Sequence, residues 1–546
     1  MRTIMALLGG MLILGVAASW ATAEEPASGV EIKSIVLGRM VCGEACQARL
    51  DLANGVMKCG NCDQRCNVAH KYCTACAGKL GACEVCGKQM RAAAATSDPK
   101  AAPGDFKKPS ADMPGVAPVA AGNVDENMSK VVAGNTTFAC ALYHRLSAEK
   151  GNLFLSPYSI STALAMTYAG AGGNTHLQMT RTLHFCREMG EEIVIPHGDD
   201  PGGRRPFISY WNGQELHQAF AAIQRQLAAG GGKGYELSVA NALWGQKDHK
   251  FLDAFLQTCS TNYGGGLRNV DFAKATEGAR TTINTWIEQQ THDKIKELLK
   301  PGILTPDVRL VLTNAIYFKG HWETAFDKKR TQDAPFTLAV PADQKEPAAQ
   351  VTVPMMHRKG KVQFHETDGL QVLELPYKGG DLSMVILLPT MPKNLNAVPR
   401  HAWRLEAYTE FERSITSAQL DAWLKALRSQ EVDVYLPRFA VTSEFGLAET
   451  LKSMGMTDAF AVDKADFSGM TGEKDLFLSA VIHKAFVDVN EEGTEAAAAT
   501  AVVMKAANGH SEPKPVFRAD HPFVFLIRHV KTGSILFMGR VMNPKV

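Results

Sequence analysis

The chain of 546 residues has almost no excess charge of either sign: 58 Lys and Arg face 56 Asp and Glu, a formal net charge of +2. That balance leaves no basic footprint for nucleic acid and no polybasic membrane patch. Beyond the N-terminal region, no stretch is long and apolar enough to cross a bilayer, which takes about 20 residues. Enzyme signatures are missing as well. There is no His-Glu-x-x-His, no phosphate-binding loop, no dinucleotide fingerprint and no Gly-x-Ser-x-Gly elbow. No catalytic residue is assigned, and an enzyme is not expected. Past residue 86 the only cysteines are Cys140, Cys186 and Cys259. They are too sparse for a disulfide framework and read as buried small apolar side chains. What is present is ordinary for a globular protein: 45% hydrophobic and 21% charged residues. The length suggests more than one domain.

The two ends differ in composition. Residues 1–23 read as a signal peptide, with Arg2, an apolar run from Ile4 to Val16, and a small-x-small cleavage site at Ala21-Thr22-Ala23. The competing reading is an N-terminal membrane anchor, for which the apolar run is short. Export to the medium or the cell envelope is expected. Residues 24–90 hold nine of the twelve cysteines, including three Cys-x2-Cys pairs: Cys59 with Cys62, Cys73 with Cys76, and Cys83 with Cys86. Such pairs suit tetrahedral structural zinc, since two knuckles supply four thiolates. Export favours disulfides instead, and an odd count leaves one thiol over. A segment this small needs one staple or the other. Residues 91–125, rich in Ala, Pro, Lys and Asp, read as a linker.

From residue 126 to 546 helix and strand signals alternate. A helix is expected over Val131–Ala148, then a short strand Asn152–Ser156 stopped by Pro157. A buried helix is expected over Ile160–Leu177, and an amphipathic one over Thr281–Leu299, ended by Pro301-Gly302. Leu237–Trp244, Val308–Phe318, Val432–Phe439 and Leu476–Val489 are β-rich, and Phe445–Met454 reads as helix. Leu370–Leu388 reads as two strands about a Gly379 turn, and Phe523–Val541 as a hairpin about Lys531-Thr-Gly533. Residues 187–214 carry Pro196, Gly198, Pro201 and Gly202-Gly203 and read as a loop-like insertion. The fold class is α+β, built on large sheets.

Several strings in this domain occur in the order and spacing of one family. They are Asn152-Leu-Phe-Leu-Ser-Pro-Tyr-Ser159, Asn314-Ala-Ile-Tyr-Phe-Lys-Gly-His-Trp322 and Val353-Pro-Met-Met356. The others are Glu491-Glu-Gly-Thr-Glu-Ala-Ala-Ala-Ala499, Phe517-Arg-Ala-Asp-His-Pro-Phe-Val-Phe525 and Phe537-Met-Gly-Arg540. Together they span about 390 residues, and the domain resembles a serpin. The resemblance implies a large central β-sheet, two further sheets, about eight to nine helices and an exposed reactive loop. It implies a monomer that needs no cofactor and inhibits a serine protease by loop insertion. The cleaved loop enters the central sheet while the protease is still attached as an acyl-enzyme.

The residues themselves suit that mechanism. If Gly493–Ala501 becomes a strand, its side chains alternate between faces. Thr494, Ala496, Ala498 and Thr500 share one face, and Glu495, Ala497 and Ala499 share the other. The first set is small and uncharged, as a strand that slides into a sheet requires. Counting seventeen residues from Glu491, as in inhibitory relatives, places the scissile bond between Ala507 and Asn508, which suits an elastase-like protease. A slipped count reaches Lys505 for a trypsin-like enzyme or Met504 for a chymotrypsin-like one.

By resemblance, Ser156, Ser159, Asn314 and His483 form a polar cluster beneath the sheet, and Trp322 stands where the loop first enters. A Ser156–His483 catalytic pair is the rival reading. His357 follows Met356 where relatives commonly have Lys; a pairing of His357 with Glu491 would be pH-dependent, since His titrates near neutrality. Two other functions compete: a non-inhibitory serpin that binds or carries, and a Cys-rich anchor that positions the domain. Asn127-Met-Ser129 and Asn135-Thr-Thr137 are glycan acceptor strings.

Overall fold

The structure is a computed structural model. It describes residues 50–51, 56–57, 121–194, 204–211, 214–230, 234–265, 267–340, 349–390, 405–494 and 514–545. The signal peptide, the three Cys-x2-Cys pairs, Glu495 to Ala499, and Ala507 with Asn508 lie outside them. The chain divides into two compact units, residues 1–108 and 109–546. In the first, β1 (Leu50–Asp51) pairs antiparallel with β2 (Val56–Met57).

The second unit opens with α1 (Ala121–Leu146), β3 (Leu153–Leu155), α2 (Pro157–Tyr168) and α3 (Gly173–Leu183). A hairpin, β4 (Glu188–Val194) and β5 (Arg204–Ser209), leads to α4 (Glu215–Gly230) and β6 (Tyr235–Gln246). Then come α5 (Asp253–Tyr263), β7 (Leu267–Val270), α6 (Thr276–Gln290), β8 (Leu310–His321), β9 (Gln332–Thr337) and β10 (Gln350–Thr367). Next are β11 (Leu370–Pro376), β12 (Leu382–Pro389), α7 (Leu405–Ser414), α8 (Ser417–Ala426), β13 (Arg428–Pro437) and β14 (Phe439–Gly446). The last are α9 (Ala448–Ser453), α10 (Ser468–Thr471), β15 (Ala480–Asn490), β16 (Gly493–Thr494), β17 (Val516–Arg518), β18 (Phe523–His529) and β19 (Ile535–Val541). Among the described residues no helix is long and apolar enough to cross a membrane.

Two large sheets carry the unit. One has six strands in the order β14-β15-β16-β8-β6-β7. The other has nine, in the order β17-β13-β10-β11-β12-β18-β19-β3, with β9 on β10. The two additional sheets expected from the resemblance are thus continuous, because β10 runs for 18 residues and belongs to both. Strands β12 and β19 are buried along their whole length, the unbroken apolar pattern of strands covered on both faces. Helix α2 is buried on every side. It packs on β6, β8 and β19, and its small residues Ser161, Thr162, Ala163 and Ala165 permit that approach.

Several expected boundaries move, each for a physical reason. Helix α1 starts at Ala121, inside the stretch read as linker. The single helix expected over Ile160–Leu177 is two helices, separated at Ala169–Gly172. A Cβ at Gly170 would lie 2.2 Å from Met470 Cγ, so the glycine permits close packing as well as the break. Helix α6 ends at Gln290 rather than Leu299, because Asn284 accepts from Leu299 N (2.8 Å) and donates to Leu299 O (2.9 Å). Residues 187–214 contain the β4–β5 hairpin; their turn formers had masked the strand signal. Phe445 lies within β14, which ends at Gly446, rather than starting a helix. Asn127 and Asn135 are 4% and 8% exposed on α1, too buried for glycan attachment in this fold. Cys140, Cys186 and Cys259 are free and buried; burial pushes the Cys140 and Cys259 thiols up to about 12.

Candidate functional site

Strands β8 and β15 lie parallel and paired from Val311 with Ala480 to Tyr317 with Phe486. Beyond that point they separate, and β16 sits between them, antiparallel to both. Gly493 pairs with Asn490 and His321, and Thr494 with Val489 and Gly320. Gly493 has φ +150°, and an added Cβ would lie 1.9 Å from Gly320 O, so the position requires glycine. Thr494 is fully buried, and its hydroxyl lies 2.8 Å from Tyr377 Oη.

Trp322 walls this slot. Its ring stacks on Tyr377 at 4.7 Å and 12°. Its backbone N–H donates to Glu492 O (2.9 Å) and its Nε1 to Asn490 O (3.0 Å). The turn between β15 and β16 is therefore tied to the end of β8 by main-chain and indole donors together. Phe326 N adds a bond to Glu491 O (2.8 Å).

The stretch from Glu491 to Ala499, expected from the resemblance to be the hinge of the loop, has two carboxylates among the described residues, Glu491 and Glu492, and both are paired. Glu491, 1% exposed, accepts from Arg438 Nε at 2.8 and 2.7 Å and from Arg438 Nη2 at 2.5 Å, and from Thr331 Oγ1 at 2.5 Å. Burial alone would raise its carboxyl, but the Arg438 and Thr331 bonds outweigh that and hold it below its ordinary value. Glu492 is bonded to Lys328 Nζ.

His357 does not reach Glu491. It faces along the nine-stranded sheet, with Nε2 3.1 Å from Asp433 Oδ1 and its ring stacked on Tyr435 at 4.3 Å. Arg438, in the corner between β13 and β14, takes the place expected for it. The pH dependence expected of a Glu491–His357 pair thus has no geometric basis.

Below the slot, a polar rung crosses three strands at one level: Asn241 on β6, Asn314 on β8 and His483 on β15. His483 Nδ1 bonds Asn314 Oδ1, and Asn314 Nδ2 bonds Asn241 Oδ1. The N-terminus of α2 lies underneath. Ser159 Oγ accepts from Asn314 Nδ2 (2.7 Å) and donates to Asn241 Oδ1 (3.0 Å). Ser156 Oγ caps α2 through Ser159 N (3.2 Å) and donates to Leu536 O (2.6 Å). Ser156 N donates to His483 Nε2 (3.2 Å).

That last bond fixes the tautomer: Nε2 accepts, so Nδ1 carries the proton. Full burial drives His483 down to about 3, so it is neutral. It also removes the nucleophile–base geometry from Ser156 and His483, because the Ser156 hydroxyl is turned to Leu536 and not to the ring. The structure therefore brings all four residues of the expected cluster together and adds Asn241. Nothing marked Asn241 in the sequence, where it is one position in an ordinary alternating strand. Arg438, Thr331, Lys328 and Tyr377 were also missed, since each acts across strands distant in sequence.

Fold and site together define a protein whose central sheet holds the start of a loop between two otherwise paired strands. The sequence profile described as Serpin (serine protease inhibitor) matches residues 133–544. The leukocyte elastase inhibitor of Bos taurus is 42% identical over 423 residues, covering 76% of this chain and 100% of that protein. The leukocyte elastase inhibitor of Homo sapiens is 40% identical over the same length and shares. The crystal structure of uncleaved ovalbumin superposes with a TM-score of 0.61 at 28% identity, over 76% of this chain and 100% of that one. The chain belongs to the serpin family.

Proposed function

We propose that this serpin is an exported suicide-substrate inhibitor of a serine protease with an elastase-like preference for a small residue. The protease nucleophile attacks the carbonyl carbon of Ala507, the bond to Asn508 breaks, and the new amine at Asn508 leaves. The loop then enters between β8 and β15 while Ala507 is still esterified to the enzyme. The observation that carries the reading is β16: Gly493 and Thr494 already occupy the slot, and the sequence continues Glu-Ala-Ala-Ala-Ala-Thr-Ala with no bulky residue or proline. The similarity to leukocyte elastase inhibitors supports the choice of protease. The export reading rests on residues 1–23, and structural zinc in the Cys-rich segment on its three Cys-x2-Cys pairs.

The test is incubation of the purified chain with elastase-, chymotrypsin-, trypsin- and papain-like proteases. A denaturant-resistant complex is expected, together with a released fragment whose mass begins it at Asn508. Cleavage between residues 504 and 508 with neither a complex nor a rise in thermal stability would instead indicate a non-inhibitory serpin.

A further inference from the structure

Three histidines meet where α2, α3, α4 and α5 come together. His176 lies on α3, His184 follows its last residue, and His217 lies on α4. Tyr168, the last residue of α2, joins them: His176 stacks on its ring at 4.4 Å, and the His217 ring is 6.5 Å away. Tyr168 Oη is 2.9 Å from Thr180 Oγ1 on α3, and Phe185 packs edge-on against the same ring at 5.3 Å. His217 is 6% exposed, and its Nδ1 lies 2.6 Å from Oη of Tyr263, the last residue of α5. His184 takes the left-handed conformation, φ 54°. A Cβ at Gly134 would lie 2.6 Å from the His184 carbonyl oxygen, so α1 closes over that turn.

This corner offers nothing to hold a proton on the three rings. Among the described residues none of them has a carboxylate partner. The titratable groups that face them are Tyr168, Tyr210, Tyr263 and the Cys186 thiol, all neutral from about pH 4 to 7. The charged groups around the corner are engaged or exposed. Arg187 pairs with Glu215 at 3.4 Å and lies near Glu126. Asp458 accepts from Asn174 of α3, Asp466 pairs with Lys474, and Arg181 is exposed. Burial alone drives all three imidazoles below their ordinary value, His217 to about 4. Opened to water, each ring takes up a proton below about pH 6.5; closed, it does so only at lower pH. The closed corner is therefore at full strength above pH 6.5 and weakens as the pH falls. Glycines flank these helices, Gly170, Gly172 and Gly173 before α3 and Gly230 and Gly234 at the end of α4, so the chain has joints on both sides.

We propose that this corner is an acid-operated latch: near pH 5, α3 and the first turns of α4 part from Tyr168 and Tyr263, while both large sheets stay closed. The latch stands on the corner alone and does not depend on the inhibitory reading. For His217 by itself, the open share rises about twentyfold between pH 7 and 5, from an open value of about 6.5 and a closed value of about 4. His176 and His184 add to that in the same direction. Cys186, 7% exposed in the closed corner, is uncovered with them.

Amide exchange on the full chain, resolved by peptide mass and corrected for the intrinsic rate at each pH, reads the opening without a protease. Between pH 7 and 5, opening in α3 and the first turns of α4 should rise at least about tenfold more than in β12 and β19. In His176→Gln/His217→Gln, whose amides keep a hydrogen-bonding group for Tyr263 but do not titrate, that excess should fall below about threefold. His249→Gln, which removes a ring paired with Asp475 outside the corner, should leave it at the wild-type value. A second readout needs no variant: magnetic resonance of labelled histidine in the wild-type chain should find the His217 ring neutral down to about pH 4. An equal pH response in the corner and the sheets, an unchanged excess in the double variant, or a His217 midpoint near 6.5 refutes the latch.

Discussion

Replacing Thr494 by Arg should convert the inhibitor into a substrate. Thr494 is completely buried, with its hydroxyl on Tyr377 and β8 and β15 on either side. A guanidinium in that slot loses hydration and finds no carboxylate to replace Tyr377 Oη. The effective cost of an unpaired buried ion is several kcal/mol after relaxation. Taking about 4 kcal/mol, at 1.36 kcal/mol per tenfold in rate, insertion slows by about 10³. Hydrolysis of the acyl-enzyme then wins, and the protease turns over. The assay is a titration of a fixed amount of active protease against increasing inhibitor. The wild-type chain should consume about one molecule per enzyme; the Arg variant should be cleaved almost entirely, without a stable complex. Thr494→Val serves as the control: it loses about 1 kcal/mol of hydrogen bonding, hence about fivefold in rate, and should still trap. Trapping by the Arg variant at wild-type stoichiometry would refute insertion through this slot.

Gly493→Ala should expel β16, since the new methyl meets Gly320 O; a red shift of Trp322 fluorescence and a stability loss of about 1–3 kcal/mol are expected. Arg438→Gln leaves Glu491 with Thr331 alone and should cost about 2 kcal/mol at pH 7, a buried-pair value discounted because Arg438 is 43% exposed. Because the Glu491 carboxyl is held low, this stabilisation is complete above the ordinary carboxylate range and is lost as pH falls through the native value. The gap between wild type and variant in denaturant unfolding should therefore narrow toward pH 4. Neutral His483 contributes in a higher window. The unfolded ring takes up a proton below about pH 6.5 and the native ring only near 3, so its contribution is whole above pH 6.5 and shrinks by up to about 1.4 kcal/mol per pH unit below it. Comparing the pH slopes of wild type and His483→Gln between pH 7 and 4 checks this; equal slopes would refute it.

Local periodicity reached the strands that are locally determined. The β11–β12 and β18–β19 hairpins close at Gly379 and Gly533, both in the left-handed region where glycine is favoured. Of the alternating small residues read from the sequence, the described ones are Gly493 and Thr494, and both lie on β16 between β8 and β15. Pairing across long sequence distances was not legible. Arg438 reaches Glu491 only because β14 and β15 lie side by side, and Asn241 joins Asn314 only through the β6–β8 register. The His357 expectation failed for the same reason: adjacency to Met356 says nothing about which neighbour a sheet supplies. Helix ends failed where a side chain substitutes for the main chain, as Asn284 does at Leu299.

The registers of β16 also act as a ruler for the chain that follows. Thr494 stands opposite Gly320 on one side and Val489 on the other. Each further residue drawn in steps one place back along both neighbours, replacing one β8–β15 pairing with two new ladders. Counting six steps brings Thr500 level with Asn314 and His483 simultaneously, and on the same face as Thr494. Of the residues that follow Thr494 into the slot, the first to bring a hydroxyl to its buried face would thus arrive where the sheet's own polar rung has to be parted. In that register, an insertion or deletion of one residue between 494 and 500 would present the rung with an alanine instead of Thr500.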